Sequence, residues 1–89
     1  MLLHLGEDVA LPVRSVIAIL DMVAPLTDDT RAFLDTAREE GFVRRVSDDP
    51  PRSLVLCEID RKSAVVLSPV APRTLRRRCE SWIEELADS

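Results

Sequence analysis

The sequence predicts an α+β fold: a small mixed or antiparallel sheet of five to six short strands, one central helix and one C-terminal amphipathic helix. Three observations predict it. Short aliphatic, β-branched runs are punctuated by Gly, Pro and Asp, the pattern of strands joined by tight turns. A capped helical segment stands in the middle of the chain, and a stretch of helical period closes it.

The elements follow in order. "LLHL" and "VALPV" flank the turn formers Gly6, Glu7 and Asp8 and predict a hairpin. "SVIAILDM" is a continuous apolar run and reads as a strand buried on both faces. Pro25 breaks the chain, and Thr27 then offers an N-cap with Asp28 and Asp29 in the first turn. Phe33, Leu34 and Ala37 share one helical face, and Gly41 suits the residue just past the helix end. "FVRRVS" is a short strand and "DDPP" a rigid turn. "SLVLCEI" and "SAVVLS", joined by the charged turn "DRK", predict an antiparallel hairpin. Pro69 and Pro72 end the sheet, and Pro72 fits the first turn of a helix. Leu75, Cys79, Trp82, Ile83 and Leu86 recur at helical spacing along that helix.

A chain of 89 residues forms one small domain, 1–89, near the size where a single core only just suffices. The aromatics are Phe33, Phe42 and Trp82, with no tyrosine, so the core is aliphatic. Each buried aliphatic side chain contributes roughly 1.5–3 kcal/mol, and domains of this size often gain the remainder by associating. Cys57 and Cys79 lie far apart in apolar phases, which predicts buried, reduced thiols in a cytoplasmic protein. "MLLHL" lacks the basic start of a signal peptide, and "VIAIL" is too short to span a membrane.

Catalysis finds no footing. His4 sits in an apolar hairpin context, and Ser53 and Ser68 lie at strand ends, where a turn hydrogen bond is the default role. No nucleophile motif, glycine-rich phosphate loop or metal-ligand spacing is present in the sequence. The expectation is a protein that is not an enzyme and has no catalytic residues, metal, cofactor or small-molecule substrate.

Charge is distributed unevenly. Residues 1–42 carry eight acids and three bases, whereas residues 43–89 carry nine bases and eight acids. The densest basic tract is "PRTLRRR", residues 72–78, in a chain of net charge −4. On a helix, Arg73 and Arg77 fall opposite the apolar stripe, with Arg76 and Arg78 at its flanks. Bases then crowd the helix N-terminus and acids its C-terminus, the reverse of what the macrodipole favours. One reading is a solvated face with pairs such as Arg76 and Glu80. The other is an anionic partner met by Arg73, Arg76 and Arg77, either nucleic acid or acids of a neighbouring subunit such as Asp28, Asp29, Glu39 and Glu40. Arg14, Arg52, Arg61 and Lys62 stand in turns and would contact duplex phosphate if gathered on one face. Scarce aromatics argue against base stacking on single strands.

"LLHLGEDVALPVRSVIAILD", "TRAFLDTAREEGFV", "PRSLVL" and "VVLSPVAPRTLRRR" together resemble the extracellular matrix regulatory protein family, in its B branch (RemB). The resemblance covers about residues 1–79, with 80–89 a helical extension, and "LSP" followed by "TLRRR" is its most specific element. It implies a small bacterial cytoplasmic regulator of biofilm-matrix transcription that forms a ring-shaped homo-oligomer and binds double-stranded DNA. Carried over by position, Arg14 matches a basic residue after the second strand, and Arg52 the end of an arginine-rich turn. At that turn this chain departs from the A branch: it has "SDDPP" before Arg52 where the A branch has adjacent arginines. Oligomerisation without nucleic-acid binding is therefore the alternative expectation.

Overall fold

The computed structural model describes residues 1–88, with side chains as far as Glu80. In chain order it contains β1 (Leu2–Gly6), β2 (Val9–Pro12), a 3-10 turn (Val13–Ser15) and β3 (Val16–Asp21). There follow α1 (Asp28–Glu39), β4 (Val43–Arg45), β5 (Ser53–Ile59), β6 (Lys62–Ser68) and α2 (Pro72–Asp88). β1 and β2 make a two-stranded sheet, and the remaining strands make a mixed sheet in the order β3-β5-β6-β4. β3, β5 and β6 pair antiparallel, while β4 pairs with β6 in parallel. The expected α+β class is the one observed.

Strand alternation divides the core into two layers. Leu54, Val65 and Leu67 meet Leu34 and Ala37 of α1 on one face of the sheet. Val55, Cys57 and Val66 meet Leu3, Leu5 and Leu11 of the β1–β2 hairpin and Leu75 of α2 on the other. Successive side chains of β5 and β6 thus point to opposite cores, so these two strands are the ones buried on both faces.

β3 differs from the expectation. It is an edge strand, not a strand covered on both sides: Ile17 is 56% and Leu20 39% exposed, and the strand ends at Asp21. Its continuous apolar run fits a central strand equally well, because an apolar run records how much a strand could bury and not what lies beside it.

α1 forms where its caps place it. Thr27 Oγ1 accepts from the Thr30 amide at 3.2 Å, with Asp28 and Asp29 in the first turn. At the other end Gly41 has φ +78°, the Phe42 amide donates to the Ala37 carbonyl and the Gly41 amide to that of Arg38. This pair of bonds is a Schellman motif. Leu34 and Ala37 are buried as their shared face requires, while Phe33 on the flank stays 46% exposed.

The "LSP" segment joins the two sheets. Ser68 Oγ, fully buried, donates to the Leu5 carbonyl of β1 and accepts from the Val70 amide. Ser53, its partner in register, donates to the Val70 carbonyl. Gly6 (φ +112°) lies against Pro69 and Val46, close enough that a β-carbon there would touch both. Ser68 makes the turn bond expected at a strand end, through the Val70 amide, whereas Ser53 instead bonds to a carbonyl seventeen residues away.

α2 begins at Pro72 as expected and packs through Leu75 and the half-buried Cys79. Cys57 is buried as expected, whereas Cys79 is only partly so. Trp82, Ile83 and Leu86 of the expected apolar stripe, and Glu84 and Glu85 of the expected acidic end, lie outside the described side chains. Among the described residues no helix is long and apolar enough to cross a membrane.

Candidate nucleic-acid interface

Register decides which arginines meet. β5 opens with Ser53, opposite Asp21 of β3 and Ser68 of β6, and closes at Ile59, opposite Lys62. Arg52 therefore stands at one end of the sheet and the Arg61–Lys62 turn at the other, separated by roughly 20 Å of extended strand. Arg14 lies in the 3-10 turn just before Val16, whose partner is Cys57, and so belongs to the Ile59 end. The structure gathers Arg14, Arg61 and Lys62 towards one end and leaves Arg52 at the opposite one. All four are exposed.

The Arg61 end is held by an unusual backbone. Asp60 and Arg61, the central residues of the β5–β6 turn, have φ of 52° and 67°. A two-residue hairpin loop with both φ positive is the type I′ requirement, best met by Asn-Gly or Asp-Gly. Asp accepts the left-handed region because its short polar side chain bonds locally, but an arginine there carries a steric cost. The turn keeps a guanidinium where a glycine would relax the chain.

At the other end, Arg52 is fixed through its backbone. Its amide donates to the Ser68 carbonyl at 2.8 Å, and its carbonyl accepts from the Met22 amide at 2.9 Å. Since Ser53 reaches Val70, two residues before α2, Arg52 stands near the start of that helix. The first turn of α2 contains Arg73 and no acid. Its unpaired amides and these guanidinium groups together present positive potential.

The basic tract itself divides. Arg76 Nη2 donates to the Ile19 carbonyl of β3 at 2.9 Å, and Arg78 Nη1 to the His4 carbonyl of β1 at 2.7 Å. These two flanking arginines strap α2 to both sheets. The expected Arg76–Glu80 pair is absent among the described residues, because the guanidinium satisfies an otherwise open carbonyl on an edge strand. Arg73 and Arg77 point away, exposed and without a partner among the described residues.

Two features escaped the sequence reading. Arg44 and Arg45 of β4 border a cleft between that strand and β2. The adjacent pair in "FVRRVS" was the available signal, hidden by its reading as ordinary strand. Phe33, Phe42 and Leu20 form an exposed apolar face around α1, each more than a third accessible. Periodicity places Phe33 with Leu34 and Ala37 but does not reveal that the helix covers only part of the sheet.

Burial raises the pKa of the Cys57 thiol, and burial followed by the neighbouring Glu80 charge raises that of Cys79. Neither thiol is activated for nucleophilic work.

The family model described as RemA-like, extracellular matrix regulatory protein A-like, matches residues 2–79 of the chain. No curated protein matches the chain.

Proposed function

The chain belongs to the RemA-like extracellular matrix regulatory protein family, and from that premise we propose that it is a homo-oligomeric regulator that grips duplex DNA by its backbone. One observation carries this reading: Arg14, Arg61 and Lys62 converge on one end of the sheet, with Arg61 kept there in a backbone conformation that favours glycine. Arg52 and Arg73 supply a second basic group beside the start of α2. A subunit with so few phosphate contacts binds weakly, whereas a ring of subunits multiplies them through avidity. Leu20, Phe33 and Phe42 form the apolar face that would bring subunits together, and a domain this small gains stability by covering it.

Duplex affinity measured against salt tests the reading. Binding should weaken steeply with salt, with a log–log slope of about −0.9 for each phosphate contact. Replacing Arg14 and Arg52 by Ala should flatten that slope while light scattering shows an unchanged mass. Absence of binding at low salt, or a slope near zero, overturns DNA binding.

A second reading shares the oligomer but not the DNA. Arg73 and Arg77, directed outward, would then meet the acids of a neighbouring α1. Reversing both charges should shift the measured mass in this case and leave it unchanged in the first.

A further inference from the structure

The cleft between the β1–β2 hairpin and the main sheet has a volume of about 420 Å³, within the range of small-molecule sites. Its walls come from two different sheets. Val9 and Leu11 of β2 face Ile59, Ala64 and Val66 of β5 and β6, with the Cys57 thiol also lining it. The lining contains no aromatic ring, so nothing in it would stack a base or a flavin. A flexible aliphatic chain suits such walls.

The polar groups are cationic. Arg44 and Arg45 line the cleft, and both are exposed. Lys62 pairs with Ile59, and strand alternation sets it on the same sheet face as Ala64 and Val66. The same alternation sends Glu58 to the α1 side with Leu54 and Leu56. The hairpin side of this edge is thus apolar below with Arg44 and Lys62 at its rim, while Glu58 of β5 faces the other way and Glu7, Asp8 and Asp48 border the adjoining depression beside Val9. Arg44 pairs with Val66 and falls on the cleft side of the sheet, whereas Arg45 pairs with Leu67 on the α1 side and donates to the Asp49 carbonyl at 3.3 Å.

We propose that this cleft binds a single-chain amphiphile with an anionic head, its alkyl chain against Val9, Leu11, Ile59 and Val66 and its carboxylate or phosphate met by Arg44. The ligand is held and not turned over, since the Cys57 thiol that lines the cleft is not activated and no acid–base pair faces it. The site shares Lys62 with the proposed DNA contacts but neither Arg14, Arg52 nor Arg61.

Isothermal titration calorimetry on the full chain tests this with three probes: decanoate, decanol and inorganic phosphate. Decanoate should bind saturably, tighter than about 100 μM, which lies within the efficiency bounds for a ligand of about twelve heavy atoms. Decanol, lacking the charge, should bind at least about tenfold more weakly, and phosphate alone should give no saturable heat. Substituting the rim arginine together with its strand neighbour (R44Q/R45Q) should remove the preference for decanoate over decanol while circular dichroism stays unchanged. A64F, filling the cleft, should abolish both. Should A64F fail to fold, the rim variant decides alone. The proposal is overturned if decanoate gives no saturable heat, or if it binds no better than decanol. It also falls if R44Q/R45Q keeps the preference, or if decanoate binds only as light scattering reports dissociation of an oligomer, which would make a second copy the occupant.

Discussion

Replacing Arg61 by Gly separates what the β5–β6 turn costs the fold from what it gives the surface. Arg61 sits at φ 67° beside Asp60 at φ 52°. A left-handed non-glycine residue carries a steric cost of roughly 1–2 kcal/mol. Glycine removes that cost but enlarges the conformational freedom of the unfolded chain, which offsets about 0.4–1 kcal/mol. The net expected gain is about 0.5–1 kcal/mol, and for a domain of this length that raises Tm by roughly 2–8 °C. The same substitution deletes one cation per subunit from the proposed DNA-facing end, so each copy touching DNA should lower the salt slope by about 0.9. Arg61→Ala provides the control. It deletes the charge but keeps a β-carbon at positive φ, so it should flatten the slope and leave Tm nearly unchanged. Thermal melting by circular dichroism and fluorescence anisotropy with a labelled duplex read the two effects. A lower Tm for Arg61→Gly refutes the strain assignment. An unchanged slope in both variants removes Arg61 from the interface.

Ser68→Ala should cost about 2 kcal/mol in urea unfolding at constant m, since it strands the buried Leu5 carbonyl and the Val70 amide. Ser53→Ala removes one bond to the same Val70, so the double variant should be less destabilised than the two single losses combined. Arg76→Ala and Arg78→Ala should speed amide exchange along α2, because each loses a strap to a strand carbonyl, whereas Arg77→Ala should not. Both thiols have folded-state pKa values above the ordinary thiol range. The folded protein therefore holds those protons longer than the unfolded chain, and the stability they contribute is present at neutral pH and lost as pH rises through the folded values. With no tyrosine and one lysine in the chain, Cys57→Ala should visibly reduce the fall in urea midpoint above about pH 9.

Local chemistry made most elements legible before the structure. Thr27, Gly41, Pro72 and the "DRK" turn act through their own backbone and immediate neighbours, and each stands where its chemistry demands. What the sequence concealed is lateral order. "VIAIL" and "SLVLC" carry similar apolar density, yet the first forms an edge and the second the centre, because partners distant in the chain determine which strand is covered. The same non-local choice splits the candidate site. Arg14 and Arg52 flank strands that run antiparallel to each other, so the β3–β5 register sends them to opposite ends of the sheet. The roles of Arg76 and Arg78 were concealed likewise, since only the folded chain brings Ile19 and His4 to α2.

This division bears on how an acidic chain could approach a polyanion. Ionic screening in the cell acts over about 8 Å, well short of the roughly 20 Å between the two basic groups. A phosphate near Arg61 therefore responds to Arg14, Lys62 and the adjacent Asp60, and only faintly to the more distant acids behind the net charge of −4. The acids of α1 lie against the opposite face of the sheet from the hairpin, and most of their repulsion is screened. Distance also prevents one subunit's two groups from reinforcing each other at a single phosphate. In the proposed oligomer, strong attraction would have to come from the same group repeated on neighbouring copies, so that the arrangement of subunits, and not the count of arginines in one of them, would set affinity.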